Sequence, residues 1–176
     1  MHKKKSLLFI ALLIFSFALV SAVNADTNST LSAEQTANII ENCSSIKNTL
    51  KRVKNSDRNS RVSLGRSYQT IMTDYITPLN VRLVKNNNFD NNLANIQNSF
   101  VVTREDFNRK YIEYGQELEA LIDIDCKSDP NEFYKQLETV RYKRSQVIES
   151  AKQLDSILEK HVEAVETLKE SYKKDK

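Results

Sequence analysis

Apolar residues recur every three or four positions through most of the chain, in blocks set apart by polar or proline-bearing stretches. The first block, Ala37, Ile40, Cys43, Ile46, Leu50 and Val53, lays one stripe along a helix and puts a cysteine on it. Ser32-Ala33-Glu34-Gln35 precedes it as a capping box, the serine oxygen placed for an early backbone N–H and the glutamine placed to reach back. These features predict a helix over 33–54. Asn55-Ser56-Asp57-Arg58-Asn59-Ser60 then interrupts the stripe with poor helix formers but without glycine or proline, so it reads as a short break or as continued helix. Leu64, Tyr68, Ile71, Tyr75 and Leu79 resume the pattern and predict a second helix over 60–85. Pro78 lacks an N–H and crowds the preceding turn, which predicts a kink or an end near residues 75–77.

Asn86-Asn87-Asn88 is the clearest loop, and Asp90 is placed to cap the next helix. Over 91–125 a strict seven-residue series, Leu93, Phe100, Phe107, Tyr114 and Leu121, predicts a helix with a coiled-coil seam. Its flanking series, Gln97, Arg104, Tyr111 and Leu118, turns apolar only in its second half. Asp129-Pro130-Asn131-Glu132 is another start signal, with a capping carboxylate, a proline whose missing N–H costs nothing, and a glutamate at the third position. The helix it opens, 130–172, holds one heptad register. One core series is Phe133, Val140, Val147, Leu154, His161 and Leu168; the other is Leu137, Arg144, Ala151, Leu158, Val165 and Tyr172. Roughly 43 residues at 1.5 Å each give a rod of about 65 Å, which needs partners of similar length. With two glycines and two prolines in all, the chain argues against a turn-rich β fold. The expected fold is all-α: an elongated antiparallel bundle of three to four long helices with coiled-coil packing.

The N-terminus breaks this pattern. Lys3-Lys4-Lys5, an apolar run from Leu7 to Val20 and the small residues of Val23-Asn24-Ala25 have the order of a secretory signal peptide. Residues 1–25 are therefore expected to be removed between Ala25 and Asp26, with Val20-Ser21-Ala22 as an alternative cut site. A disordered segment 26–32, one bundle domain 33–172 and a charged tail 173–176 would come after it. The competing reading is an uncleaved anchor, since the run approaches the length of a short membrane span. On either reading the lysines stay inside and the rest of the chain is secreted or held outside the membrane.

Export changes the meaning of the charge. The net +3 of the full chain resides in Lys3, Lys4 and Lys5, so the mature chain carries no net field to draw nucleic acid. Charge is nonetheless segregated. Lys47, Lys51, Arg52, Lys54, Arg58, Arg61 and Arg66 face only Asp57 within 47–66, while the stretch from Glu105 to Glu138 is predominantly acidic. The antiparallel arrangement would set the two side by side, and internal or surface pairing is expected in preference to a phosphate- or lipid-binding run.

Cys43 and Cys126 form an even pair in an exported chain, most simply one disulfide. That pairing fits a chain that runs down to the Asn86 loop and returns, provided the polar break and the Pro78 kink absorb a seven-residue difference in arm length. A reactive thiol or a metal site would need a neighbouring base or more ligands than the chain offers. No phosphate-cradling glycine loop, Gly-x-Ser-x-Gly elbow or His-Glu-x-x-His occurs, and Leu158 stands where a di-iron bundle needs a glutamate before His161. No catalytic, cofactor or metal residue is expected, and the chain reads as non-enzymatic. His161 at a core position invites a pH-sensing reading against that of a tolerated seam residue. Arg144 invites a buried specificity device against a stem covering apolar neighbours. Tyrosines 68, 75, 111 and 114 read as core or as the lining of a groove.

Together with the export signal and the cysteine pair, Asn59-Ser60-Arg61-Val62-Ser63-Leu64-Gly65, Pro78-Leu79-Asn80 and Asp125-Cys126 before Phe133-Tyr134 resemble small exported helical proteins of Saccharibacteria and related candidate-phylum bacteria. The resemblance covers most of the mature chain and implies no established activity, so it carries over no functional residue. The chain is similar in size and helicity to trimeric periplasmic holdases but lacks their trimerising β segment. The expected function is an envelope or extracellular protein-interaction module. The alternatives are a periplasmic-type holdase chaperone and a membrane-anchored envelope spacer. The expected partner is an unidentified protein or envelope component, with self-association through helix 4 open and a membrane role only for an uncleaved signal. N-terminal sequencing of the native protein is expected to begin at Asp26; a start at Met1 would establish the anchor instead.

Overall fold

The computed structural model describes residues 31–174, all of which lie in helices or the short segments joining and capping them. The expected signal peptide, the expected cut between Ala25 and Asp26 and residues 26–30 lie outside the described residues. Four α-helices occur in order: α1 (Ala33–Ile71), α2 (Thr77–Lys85), α3 (Asn91–Asp123) and α4 (Pro130–Lys174). A five-residue π-helical turn, Met72–Ile76, joins α1 to α2.

The expected start signals are made. The Ser32 hydroxyl accepts from the Gln35 amide at 3.2 Å, and the Gln35 side chain accepts from the Ser32 amide at 2.9 Å, closing the capping box. Asp90 accepts from the Leu93 amide at 2.9 Å, and Asp129 from the Glu132 amide at 3.1 Å with Pro130 opening α4. The Asn86 loop closes α2 through Asn87 N–H to the Val84 carbonyl and Asn88 N–H to the Leu83 carbonyl. Asn87 takes a left-handed φ of 56°, a conformation asparagine tolerates better than most residues.

Two boundaries differ from the sequence reading. There is no break at 55–60, because α1 runs through it as one helix of 39 residues. Poor helix formers cost only about 0.5 kcal/mol each, so without glycine or proline a modest tertiary gain holds the segment helical. The kink is a π turn. Pro78 offers no N–H to the Asp74 carbonyl and its ring crowds that turn; the helix widens, and the Thr77 N–H reaches back to the Met72 carbonyl. The wider turn admits an extra residue and rotates the following stripe. Met72, Ile76 and Leu83 therefore point inward, while Tyr75, expected on the same stripe as core or as groove lining, is 63% exposed. At the other end α4 continues through two residues expected in the tail.

Inter-helix contacts fix an antiparallel return. Lys54 meets Glu119, Gln69 meets Arg104 and Asn80 meets the Leu93 carbonyl, each pair centred on the bond between Asn86 and Asn87. One register thus holds on both sides of the polar stretch and beyond the π turn, so neither feature absorbs the expected mismatch. That register sets position 43 opposite 130, and the offset of four residues to Cys126 is taken up at the end, where Ile124 caps α3 in extended backbone. Cys43 and Cys126 lie there at disulfide distance, Cα–Cα 5.7 Å, both buried.

The core comprises three clusters along α3. Tyr114, Leu118 and Leu121 meet Cys43, Phe133 and Val140; Phe100 and Phe107 meet Tyr68, Ile76 and Leu154; Leu93 and Ile96 meet Leu83 and Ala164. Each large apolar side chain buried this way contributes about 1.5–3 kcal/mol. On α4 a further row, Lys143, Ser150, Ile157 and Ala164, turns inward beside the two expected heptad series, and Ser150 is fully buried. No helix of the described residues is long and apolar enough to cross a membrane. Reduction, or replacing both cysteines by alanine, is expected to lower stability by about 3 kcal/mol, roughly 10 °C in Tm, with far-UV helicity retained. An unchanged Tm on reduction would show that the pair is not bonded.

Candidate functional site

Between Val53 and Leu64 no apolar side chain of α1 turns inward; Asp57 and Arg61 are half-buried there, and Ser60 is exposed beside them. The polar stretch that resembled a break is thus the place where α1 brings charge to the other helices. Arg144 of α4 grips Asp57 with both arms, Nε to Oδ2 at 3.0 Å and Nη2 to Oδ1 at 3.1 Å. The Tyr114 hydroxyl of α3 donates to the same carboxylate at 2.7 Å. Bidentate, charge-assisted bonds of this kind are stronger and more directional than neutral ones. Burial first, and then the bond to Asp57, push the Tyr114 phenol up, while Asp57 holds the Arg144 guanidinium above its usual range. Arg144 is therefore half-exposed with its head on a carboxylate, not a buried seam residue.

Arg61 lies beside this triad with its guanidinium carbon 5.1 Å from the centre of the Tyr111 ring. Tyr111 meets Tyr114 edge to face at 6.1 Å. Burial raises the Tyr111 phenol, helped by Asp57 and opposed by Arg61, Arg58 and Lys54. Because Asp57 and Ser60 do not fill the space above α3, a pocket of about 140 Å³, open to solvent on one side, remains among Leu64, Phe107, Tyr111, Val147 and Ala151, with Arg61 among its lining residues.

The expected pairing of basic and acidic blocks is realised in one ion pair, Lys54 to Glu119 at 2.6 Å, and in the influence of Lys47 on Asp125. Elsewhere the acidic residues of α3 find other cations. Asp106 and Glu113 bind Arg109, Asp106 binds Lys110 at 2.7 Å, and Glu113 binds Lys143 of α4 at 2.8 Å. Among the described residues Arg61 has no carboxylate within ion-pair distance. The exposed Lys54 pair contributes little to stability in any case.

Ser150, absent from the sequence reading, has its Oγ 3.0 Å from Lys110 Nζ and 3.2 Å from Asp106 Oδ2. A serine beside a lysine contains the atoms of a nucleophile and its base. Here the lysine is bound to Asp106 and the serine has no exposed surface, so the three groups neutralise one another inside the α3–α4 contact. Hydrogen bonds from Lys110, Arg109 and Ser150 outweigh burial and hold the Asp106 carboxyl below the usual range. The only signal that could have found Ser150 is its spacing of seven from Lys143 and Ile157.

Tyr68 is core, edge-on to Phe100 at 6.0 Å and to Phe107 at 5.9 Å, with burial and then Asp155 pushing its phenol up to about 12. Its hydroxyl has no partner among the described residues. A second recess, of about 550 Å³, lies where α2 meets α3, lined by Val81, Val84, Phe89, Ala94 and Val101. Among the described residues no group of three or more His, Cys, Asp or Glu is placed to hold a metal ion.

No protein-family model matches the chain, and comparison with curated proteins and with solved structures finds no match. None of these comparisons bears on the resemblance drawn from the sequence.

His161 is half-buried, and its Nε2 has no hydrogen-bond partner among the described residues. Burial lowers its pKa below 6.5, so the unfolded chain takes up the proton first as pH falls. The stability tied to the neutral ring is complete above about pH 6.5 and is lost as pH falls through the lower, folded value. Tm is expected to drop as pH falls below about 6.5, and His161→Leu should flatten that drop; identical profiles would dismiss the histidine as a pH-sensitive element.

Proposed function

We propose that the mature chain is an exported, non-enzymatic interaction module of the cell envelope or exterior, an elongated bundle with coiled-coil seams that engages a protein partner through the end formed by α2 and α3. The observation that carries this reading is the apolar surface around the Asn86 loop. Val81, Val84 and Phe89 are 44%, 55% and 60% exposed, and they border the 550 Å³ recess. Apolar side chains scattered singly are normal on a protein surface, whereas a group around a concavity marks a contact site. The cysteine pair supports an oxidising compartment, the setting in which such bonds persist.

Nothing in the packing requires these side chains to be apolar, since all three lie outside the buried clusters. Charged substitutions there should therefore leave the fold intact while damaging a contact. Crosslinking and pull-down from intact cells is the test. The native chain is expected to capture a reproducible partner, and a Val84→Asp, Phe89→Asp double variant to lose it by at least about tenfold with an unchanged Tm. Equal capture by the variant would remove the hairpin end as the interface. Suppression of aggregation of an unfolded client, equally by native and variant chains, would favour a holdase.

A further inference from the structure

We propose that the cavity between α1, α3 and α4 is a binding site for a small apolar carboxylate, one that carries an aromatic ring or a branched aliphatic group of similar size. The apolar group would occupy the space over Phe107, Val147 and Ala151, and the carboxylate would lie on Arg61. This site is separate from the hairpin end and stands or falls without it.

Size sets the first limit. An accessible volume of about 140 Å³ is close to the roughly 150 Å³ that holds a benzene ring, and because the pocket is open on one side the polar end of a ligand can stay outside it. Wall chemistry sets the second. Leu64, Phe107, Val147, Ile148 and Ala151 offer no hydrogen bonds through their side chains, so a ring displaces poorly held water. Phe107, Tyr111 and Tyr114 present rings along one side, where an incoming ring can pack edge to face.

Charge selects the anion. Five charged or phenolic groups border the space, and three of them are engaged with one another: Asp57 holds Arg144 through two bonds and accepts from Tyr114. That set is internally neutral. Arg61 remains, stacked on Tyr111 and without a carboxylate of its own among the described residues. Stacking on the ring face leaves the guanidinium edge, with its forked N–H donors, open to a carboxylate. A cationic ligand would meet two arginines and find the one carboxylate already taken.

The experiment is a titration of the mature chain followed by amide and methyl NMR with four probes: phenylacetate, toluene, acetate and phenethylamine. Phenylacetate is expected to shift the signals of Phe107, Val147 and Ala151 and of Arg61 in a saturable way. Toluene should shift the first three about tenfold more weakly, and acetate and phenethylamine should shift none. Arg61→Gln is expected to bring phenylacetate down to the toluene level while leaving toluene unchanged. Ala151→Leu, which fills the cavity, should abolish both without loss of helicity. Absence of saturable shifts with phenylacetate in the native chain would overturn the proposal, as would binding of phenethylamine as tight as that of phenylacetate, and neither outcome depends on a variant folding.

Discussion

A helix that presents its apolar column to a single partner leaves half of that column's rim wet. The column on α3 is instead enclosed from two directions at once, and each of the three core clusters is built on it: Leu121 and Tyr114 at one end, Phe107 and Phe100 in the middle, Leu93 at the other. α1 and α2 cover one flank of it and α4 the other, and α1 and α4 also meet each other, so the fold depends on the column of α3 being enclosed by both. This explains why α4 turns in an additional row. To close against α3 it needs Ser150 and Ala164, small enough for close approach, and Lys143, long enough to reach Glu113.

The same constraint gives the polar stretch of α1 its meaning. A segment held against a continuous apolar column cannot break away without exposing that column, so Asn55–Ser60 stays helical although its residues have little helical preference. Holding it there brings Asp57 over α3, where an unpaired carboxylate would be costly. Arg144 and Tyr114 meet that requirement from two other helices. Local polarity therefore becomes a three-helix junction, and the missing apolar side chains become a cavity.

Charge also finds its place through packing. Acidic residues of α3 are bound mainly by cations on α3 and α4, because those two helices make the closest contact. The basic face of α1 is correspondingly left with few direct pairs, and Arg61 takes an aromatic partner instead of a carboxylate.

The sequence alone determined the features that depend on neighbours along one helix. The Leu93 to Leu121 heptads, the caps at Ser32, Asp90 and Asp129, the Asn86 loop and the partnership of the two cysteines could all be read from period, cap chemistry and composition. Each is decided within a turn or two of backbone, or by the simple matching of arm lengths. Tertiary structure decided what depends on a partner helix. It kept 55–60 helical, sent Ile76 inward in place of Tyr75 once Pro78 had widened a turn, recruited Arg144 to Asp57, and buried Ser150. A helical period states which residues share a face; how wide that face must be, and whether a charge on it finds an opposite charge, is set by the helix packed against it.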